Sequence, residues 1–326
     1  MPQIDVIGDI HGHSDALVAL LRGMGYRERN GVWGHPERRA LFVGDFIDRG
    51  PSQVRVLEIV RGMVEAGTAD AVMGNHEYNA VCYATPDPDN PGAYLRPHTE
   101  KNDGQHAGFL AEVGAGSATH QEWVAWFRSL PLWLEYDGLR VVHACWHPPH
   151  QRTLAPWLDA DNRLAPEGFV ASSRETRAEH AAVEALLKGL EVELPPGRVF
   201  HDKDGHQRHQ IRTRWWLNEP ISYRDGALMD EAAAQDHLPS ETMPEKSVIG
   251  YSDDRPVFIG HYWLQGEPEP LTNQVGCTDY SIATGGRLCA YRWAGERALD
   301  RRRFVWVEMP YARLQAHRGG GVPSTV

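Results

Sequence analysis

Five short apolar runs in this chain each close on residues of metal-ligand type, and that repetition constrains the fold more than any other feature. IDVIGDIHGH ends at Asp9 and His11, ALFVGDFIDRGP at Asp45, Asp48 and Arg49, and ADAVMGNHE at Asn75 and His76. LRVVHA delivers His143 and RPVFIGH delivers His261. Near-continuous apolar runs suit buried strands. Carboxylate, amide and imidazole donors are those that hard and borderline divalent metals take. Five strand patterns, each dropping such a donor at its carboxyl end, point to a two-metal hydrolytic site.

Between these runs the hydrophobic period lengthens. Leu17, Leu20, Leu21 and Met24 are spaced i, i+3, i+4, i+7, which predicts an amphipathic helix from about Ser14. Val56, Ile59, Val60 and Met63 repeat the spacing as far as Gly67, with Pro51 suited to the first helical position. Strand–helix–strand–helix–strand with short loops argues for an α/β core with parallel strands, whose site lies outside their carboxyl ends. From Tyr83 to Gly116 the pattern breaks into Pro, Asp, Asn and Gly, a long surface excursion. A helix bearing Trp123, Trp126 and Phe127 follows, then a hairpin across Asp137 and Gly138. Composition changes again after Pro148: helical near 174–190, then rich in charge, His and Pro. The expected division is a core of residues 1–147 and 255–315, a cap inserted at 148–254, and a flexible tail at 316–326.

Composition narrows the function classes. Hydrophobic residues are 41% and charged ones 24% of 326, ordinary for a soluble globular chain. A net charge of −11 supplies no basic field, so no stable nucleic-acid partner is expected, although local arginines could still hold a nucleotide. No apolar run approaches membrane length, and the first strand begins at Ile4, leaving no room for a leader. Cys82, Cys145, Cys277 and Cys289 lack zinc-type spacing; buried free thiols and a cytoplasmic location are expected.

The motifs divide the chemistry among themselves. Asp9 and His11, two apart in a tight loop, can face one ion. Asp45 is the natural bridge, because a carboxylate has two oxygens. Asn75 adds a neutral oxygen, and His143 and His261 complete a second ion. His76 follows a ligand yet can point elsewhere, which makes it the candidate general acid, with Asp48 placed to support its imidazole. Arg49 offers a fork suited to a phosphoryl group.

Taken together, GDIHG, GDFIDRG and GNHE resemble the phosphoprotein phosphatase branch of the calcineurin-like metallophosphoesterases. The resemblance covers residues 4–80 closely and recurs at 131–145 and 257–293. It implies a two-sheet αββα sandwich of the metallophosphoesterase type, here with a largely helical insertion. Asp9, His11 and Asp45 would hold one metal, and Asp45, Asn75, His143 and His261 the other. The ions would be two divalent metals, manganese first and iron or zinc as alternatives. Phosphate esters or anhydrides would be hydrolysed by in-line attack of a metal-bridging hydroxide, with His76 as acid and Arg49 on the phosphate.

Within that branch, HPERRALFVGDFIDRGP, VLEIVRGMVEAGTADAVMGNHE and CTDYSIATGGRLCAYRW are similar to bacterial symmetrical bis(5′-nucleosyl)-tetraphosphatases. They are similar also to the phosphatase module of bacterial polynucleotide kinase-phosphatases. No GxxxxGK[ST] loop is present for a fused kinase. The branch's second phosphate-binding arginine has candidates in Arg212 and Arg214 of IRTRWW, beside Trp215 and Trp216 as possible stacking surfaces. Two substrate classes remain, phosphoprotein and dinucleoside polyphosphate or nucleotide. A non-catalytic binding module of the same fold is disfavoured by the intact set of site residues.

Overall fold

The computed structural model describes residues 3–201, 207–229, 238–308 and 314–316. Side-chain alternation decides which face each strand buries. In β1 (Gln3–Ile7), Ile4 and Val6 join one apolar cluster and Ile7 another. Asp5, the charge that interrupts this run, is buried but accepts from Arg38 at 2.8 Å, Tyr26 at 3.1 Å and Arg292 at 3.2 Å. Its charge is thereby paired inside the fold.

Strands β2 (Arg38–Phe42) and β3 (Ala69–Ala71) continue the sheet in parallel, joined by helices α1 (Ser14–Met24) and α2 (Gln53–Glu65). A hairpin, Arg27–Arg29 with Val32–Gly34, lies between α1 and β2. Helix α1 buries Leu17, Leu20, Leu21 and Met24 and stops at Gly25, whose φ of 99° lets its N–H reach Arg22 O. Helix α2 begins two residues later than Pro51 suggests. Its first amides, Gln53 and Val54, donate to Glu112 at 2.7 and 2.9 Å, so a distant carboxylate sets the helix start.

The excursion after β3 carries a helix that the pattern did not show, beyond an irregular stretch at 85–99. Helix α3 (Asn75–Ala84) leaves the third motif directly, and α4 (Glu100–Val113) starts at Thr99, whose side chain accepts from Asn102 N. Only His106, Phe109 and Val113 of α4 are buried, too thin a stripe for the periodicity to show. Helix α5 (Ala118–Arg128) then leads to β4 (Trp133–Glu135) and β5 (Arg140–Val142), the expected hairpin. A second sheet forms in the order β7 (Val275–Cys277), β6 (Val257–Ile259), β5, β4, with β6 parallel to β5 and β7. The first sheet is completed by β8 (Arg287–Trp293), antiparallel to β1, then β9 (Phe304–Glu308) and Leu314–Ala316; Asp279–Tyr280 pairs with β8.

The two sheets meet across Ile4, Val6, Leu41, Val43, Val141, Phe258 and Tyr291, with helices on the outer faces, a mixed α/β sandwich. Between β5 and β6 the insertion is helical through α6 (Pro148–Leu154), α7 (Pro166–Ser172) and α8 (Ala178–Lys188). Beyond Lys188 it turns to short hairpins, Glu191–Glu193 pairing with Gln210–Arg212, around a small cluster of its own that includes Val192, Ile211 and Met243. The tail expected at 316–326 lies outside the described residues except for Ala316. No described helix is long and apolar enough to cross a membrane.

Candidate metal centre and its cleft

The carboxyl ends of β1, β2 and β3 from one sheet and of β5 and β6 from the other converge on one spot. Backbone there is bent hard: His11, Asp45, Asp48, Arg49 and His261 all have positive φ, between 46° and 80°. Ladder bonds across the loops fix the geometry, with Ile10 N and His11 N donating to Asp45 O at 3.1 and 2.9 Å. Small residues are required where loops meet. A Cβ at Gly260 would collide with Asp9 Oδ1, and one at Gly74 with Asp45 Oδ1.

Asp45 sits at the middle. Its Oδ2 lies 3.6 Å from His11 Nε2, 3.4 Å from His143 Nε2 and 4.0 Å from His76 Nε2. Its Oδ1 accepts from His76 N at 3.0 Å. Asn75 Oδ1 is 3.2 Å from His143 Nε2, Asp9 Oδ2 accepts from His261 N at 3.0 Å, and the His143 and His261 rings are 5.3 Å apart. The structure therefore brings Asp9, His11, Asp45, Asn75, His143 and His261 into one cluster. His11 Nδ1 contacts Ile47 O at 3.0 Å and His143 Nδ1 contacts Val43 O at 2.7 Å, so each turns Nε2 inward.

These donors fit divalent ions. Asp9 Oδ1, His11 Nε2 and both ring nitrogens of His261 are buried without a hydrogen-bond partner, which leaves them available to an ion. Burial, with the charges of Asp279 and Asp45, pushes the Asp9 carboxyl well above the usual range. Burial opposes the Asp45 charge too, yet the imidazoles of His143, His76 and His11 outweigh it and hold Asp45 well below that range. Burial drives His11 down to about 4 and His261 well below the ordinary imidazole value, which keeps both in the neutral, ligand form. Two compatible triads can be drawn, Asp45–His143–His261 and His11–Asp45–His76.

His76 has a different setting from the others. Its Nδ1 is 2.6 Å from Asp48 Oδ2, and Asp48 Oδ1 is 3.1 Å from His106 Nδ1. Burial would lower His76, but Asp45 and then Asp48 overcome it and raise the imidazole to about 9. Asp48 is held down at about 2, the bonds from His106 and His76 outweighing its burial.

Two residues of this neighbourhood are not singled out by sequence. Glu77, fully buried, accepts from Asp45 N at 2.9 Å, Phe46 N at 2.8 Å and Gly74 N at 3.0 Å, tying the second motif to the third. It is the last letter of GNHE, so the motif itself contained the signal. His106 carries none, since it lies in a polar run whose helix was not expected.

The centre opens into a cleft of about 1040 Å³, walled by α3 and α4 on one side and by the insertion on the other. Arg49, Arg96, Lys101 and Arg212 line it; Arg214 does not. Arg49 lies 5.1 Å over the Trp263 ring. Trp215 and Trp216 are no stacking surfaces. Both are buried, and Trp215 Nε1 donates to Ala144 O at 3.1 Å and to Tyr262 Oη at 2.9 Å. A bulky aromatic pair here fills the junction between insertion and core.

The sequence profile of calcineurin-like phosphoesterases matches residues 2–165. The chain belongs to that family. Among its relatives, the asymmetrical bis(5′-nucleosyl)-tetraphosphatase PrpE of Halalkalibacterium halodurans is 47% identical over 75 residues, 23% of this chain and 30% of that protein. The Bacillus subtilis protein of the same name is 47% identical over 73 residues, 22% and 30% of the two chains. The family member described here thus matches less than a third of the length of these curated relatives. A solved serine/threonine protein phosphatase from Saccharomyces cerevisiae is 16% identical, with a TM-score of 0.45 over 99% of this chain and 82% of that one.

Proposed function

We propose that this family member is a dinuclear-metal phosphoesterase, with Asp9, His11 and Asp45 on one ion and Asp45, Asn75, His143 and His261 on the other. The observation that carries this reading is the set of buried, unpartnered donors on Asp9, His11 and His261 around one carboxylate. When bound, two divalent ions there would supply Lewis-acid activation of a phosphoryl group and its attacking water. Manganese is our first choice because the donor set mixes carboxylate, amide and imidazole, with iron and zinc as the alternatives. The four buried free thiols accord with a reducing cytoplasm.

The protein's own groups then have separate tasks. Arg49 faces the cleft and would grip phosphate oxygens with its fork. Charged His76, anchored through Nδ1 on Asp48, would donate from Nε2 to the leaving oxygen. Glu77 positions Asp45 by holding its backbone. Arg212, on the opposite wall, would meet the remainder of the substrate.

For the substrate we favour a nucleotide or dinucleoside polyphosphate over a phosphoprotein. A two-walled cleft of about 1040 Å³ lies at the upper end of small-ligand pockets and would enclose a nucleotide. The deciding experiment reconstitutes the protein with Mn²⁺ and compares diadenosine tetraphosphate, a phosphothreonine peptide and p-nitrophenyl phosphate. A kcat/KM for the dinucleotide well above that for the peptide is expected. The reverse order establishes the protein-phosphatase reading, and no turnover of any of the three removes the proposal.

A further inference from the structure

Arginines tied into this fold are mostly tied to carboxylates, as Arg38 is to Asp5, Arg39 to Asp70, Arg140 to Asp253 and Arg174 to Asp87. Arg96 departs from this. Its guanidinium donates to three neutral amide oxygens, Asn79 Oδ1 at 3.1 Å, Asn102 Oδ1 at 2.8 Å and Gln105 Oε1 at 3.0 Å. The Asn102 amide nitrogen donates in turn to Pro97 O at 2.8 Å, which fixes the oxygen that faces Arg96. Such anchors aim the fork without cancelling its charge. Burial is the strongest influence on this guanidinium and lowers its pKa, outweighing the more distant charges of Glu184 and Asp48 that raise it.

Arg96 and its three amide anchors line the same cleft as Asp45, Asn75 and His76. Asn79 lies four residues after Asn75 on α3, so the Arg96 anchor sits on the same helix face, roughly 6 Å along the axis from a proposed ligand. Lys101, exposed near the start of α4, and Arg49 likewise have no carboxylate partner among the described residues. On the facing wall Lys188 pairs with Glu184 at 2.5 Å, while Arg212 lies 3.8 Å from Glu191 and its Nε has no hydrogen-bond partner. Arg96 and Lys101 thus set positive charge without a carboxylate partner along the α3–α4 wall, across the cleft from Arg212.

We propose that Arg96 and Lys101 form a second anion subsite, which holds the phosphate adjoining the one seated at Asp45. The cleft is thereby built for a chain of phosphates in preference to a lone phosphomonoester. This rests on the proposed function only in seating the first phosphate at Asp45.

Calorimetric titration with tripolyphosphate and with orthophosphate, at fixed free Mn²⁺, reads the subsite in the intact protein without turnover. Wild type should prefer tripolyphosphate by about tenfold or more, roughly the 1.4 kcal/mol of one added charge-assisted contact. Arg96→Gln and Lys101→Ala should each collapse that preference, and Arg96→Lys should recover part of it. Lys101 is exposed, so its replacement cannot act through misfolding. An unchanged preference in both variants overturns the subsite. So does an equal loss of both ligands in Arg96→Gln with Lys101→Ala unaffected, the result expected of an arginine that only holds its loop. Failure of the subsite and of the activity are separable. Arg96-dependent tripolyphosphate binding in a protein that hydrolyses no phosphoester removes the activity alone, and turnover without that preference removes the subsite alone.

Discussion

Single side chains in this centre differ in what their loss should do. Asp45 faces three imidazoles through one carboxylate. Asp45→Asn should lower kcat by about three powers of ten or more, roughly 4 kcal/mol, and reduce bound metal measured by mass spectrometry. Two ions retained with near-normal turnover would dismiss the bridging role. Glu77→Gln should act on the same site at one remove, since it weakens three backbone contacts and touches the proposed ligand Asp45 only at its amide. His76 is expected to matter by substrate. His76→Asn should depress hydrolysis of an alkyl phosphate about a hundredfold more than that of p-nitrophenyl phosphate, whose leaving group scarcely needs a proton. Equal losses on both substrates, together with loss of one metal, would place His76 in the ion-binding set, the arrangement that the His11–Asp45–His76 triad allows.

At the scale of elements, the insertion is joined to the site through Trp215. Its indole bridges Ala144, which follows His143, and Tyr262, which follows His261. Trp215→Ala should cost about 3–5 kcal/mol of stability by leaving a cavity between insertion and core, and should lower turnover of large and small phosphates alike. A selective rise in KM for the larger substrate, with unchanged melting, would return Trp215 to substrate reading. This residue also marks where sequence stops being informative. The strand ends of Asp9, Asp45, Asn75, His143 and His261 were legible because each closes a predominantly apolar run, a local pattern. Whether an Arg-Thr-Arg-Trp-Trp stretch faces a cleft or a core is decided by partners 47 and 71 residues away in sequence, and no local pattern records that. Helix α4 was hidden for a related reason. It buries a stripe three residues deep, and its role is to send His106 to Asp48 and Glu112 to the start of α2.

Across the whole molecule, the sandwich gathers charges that its own groups do not balance, and metal should therefore stabilise the fold in a pH-dependent way. In metal-stripped protein, His76 is raised to about 9 and His143 is also raised, burial in each case being outweighed by carboxylates. A histidine raised on folding lends stability that is complete below about 6.5, its unfolded value, and is lost as pH climbs through its folded value. The stripped protein should accordingly lose stability between about pH 6.5 and 9. Metal binding runs the other way, because His143 must shed its proton to become a ligand, so affinity grows with pH over the same interval. An ion at a hundred times its Kd adds about 2.7 kcal/mol, enough to move the melting temperature by several degrees. The difference in Tm between Mn²⁺-loaded and chelated protein should widen steadily from pH 6.5 to 9, and Asp45→Asn should abolish most of it. A gap that stays constant or narrows over that range would mean that the imidazoles facing Asp45 do not give up protons to a metal.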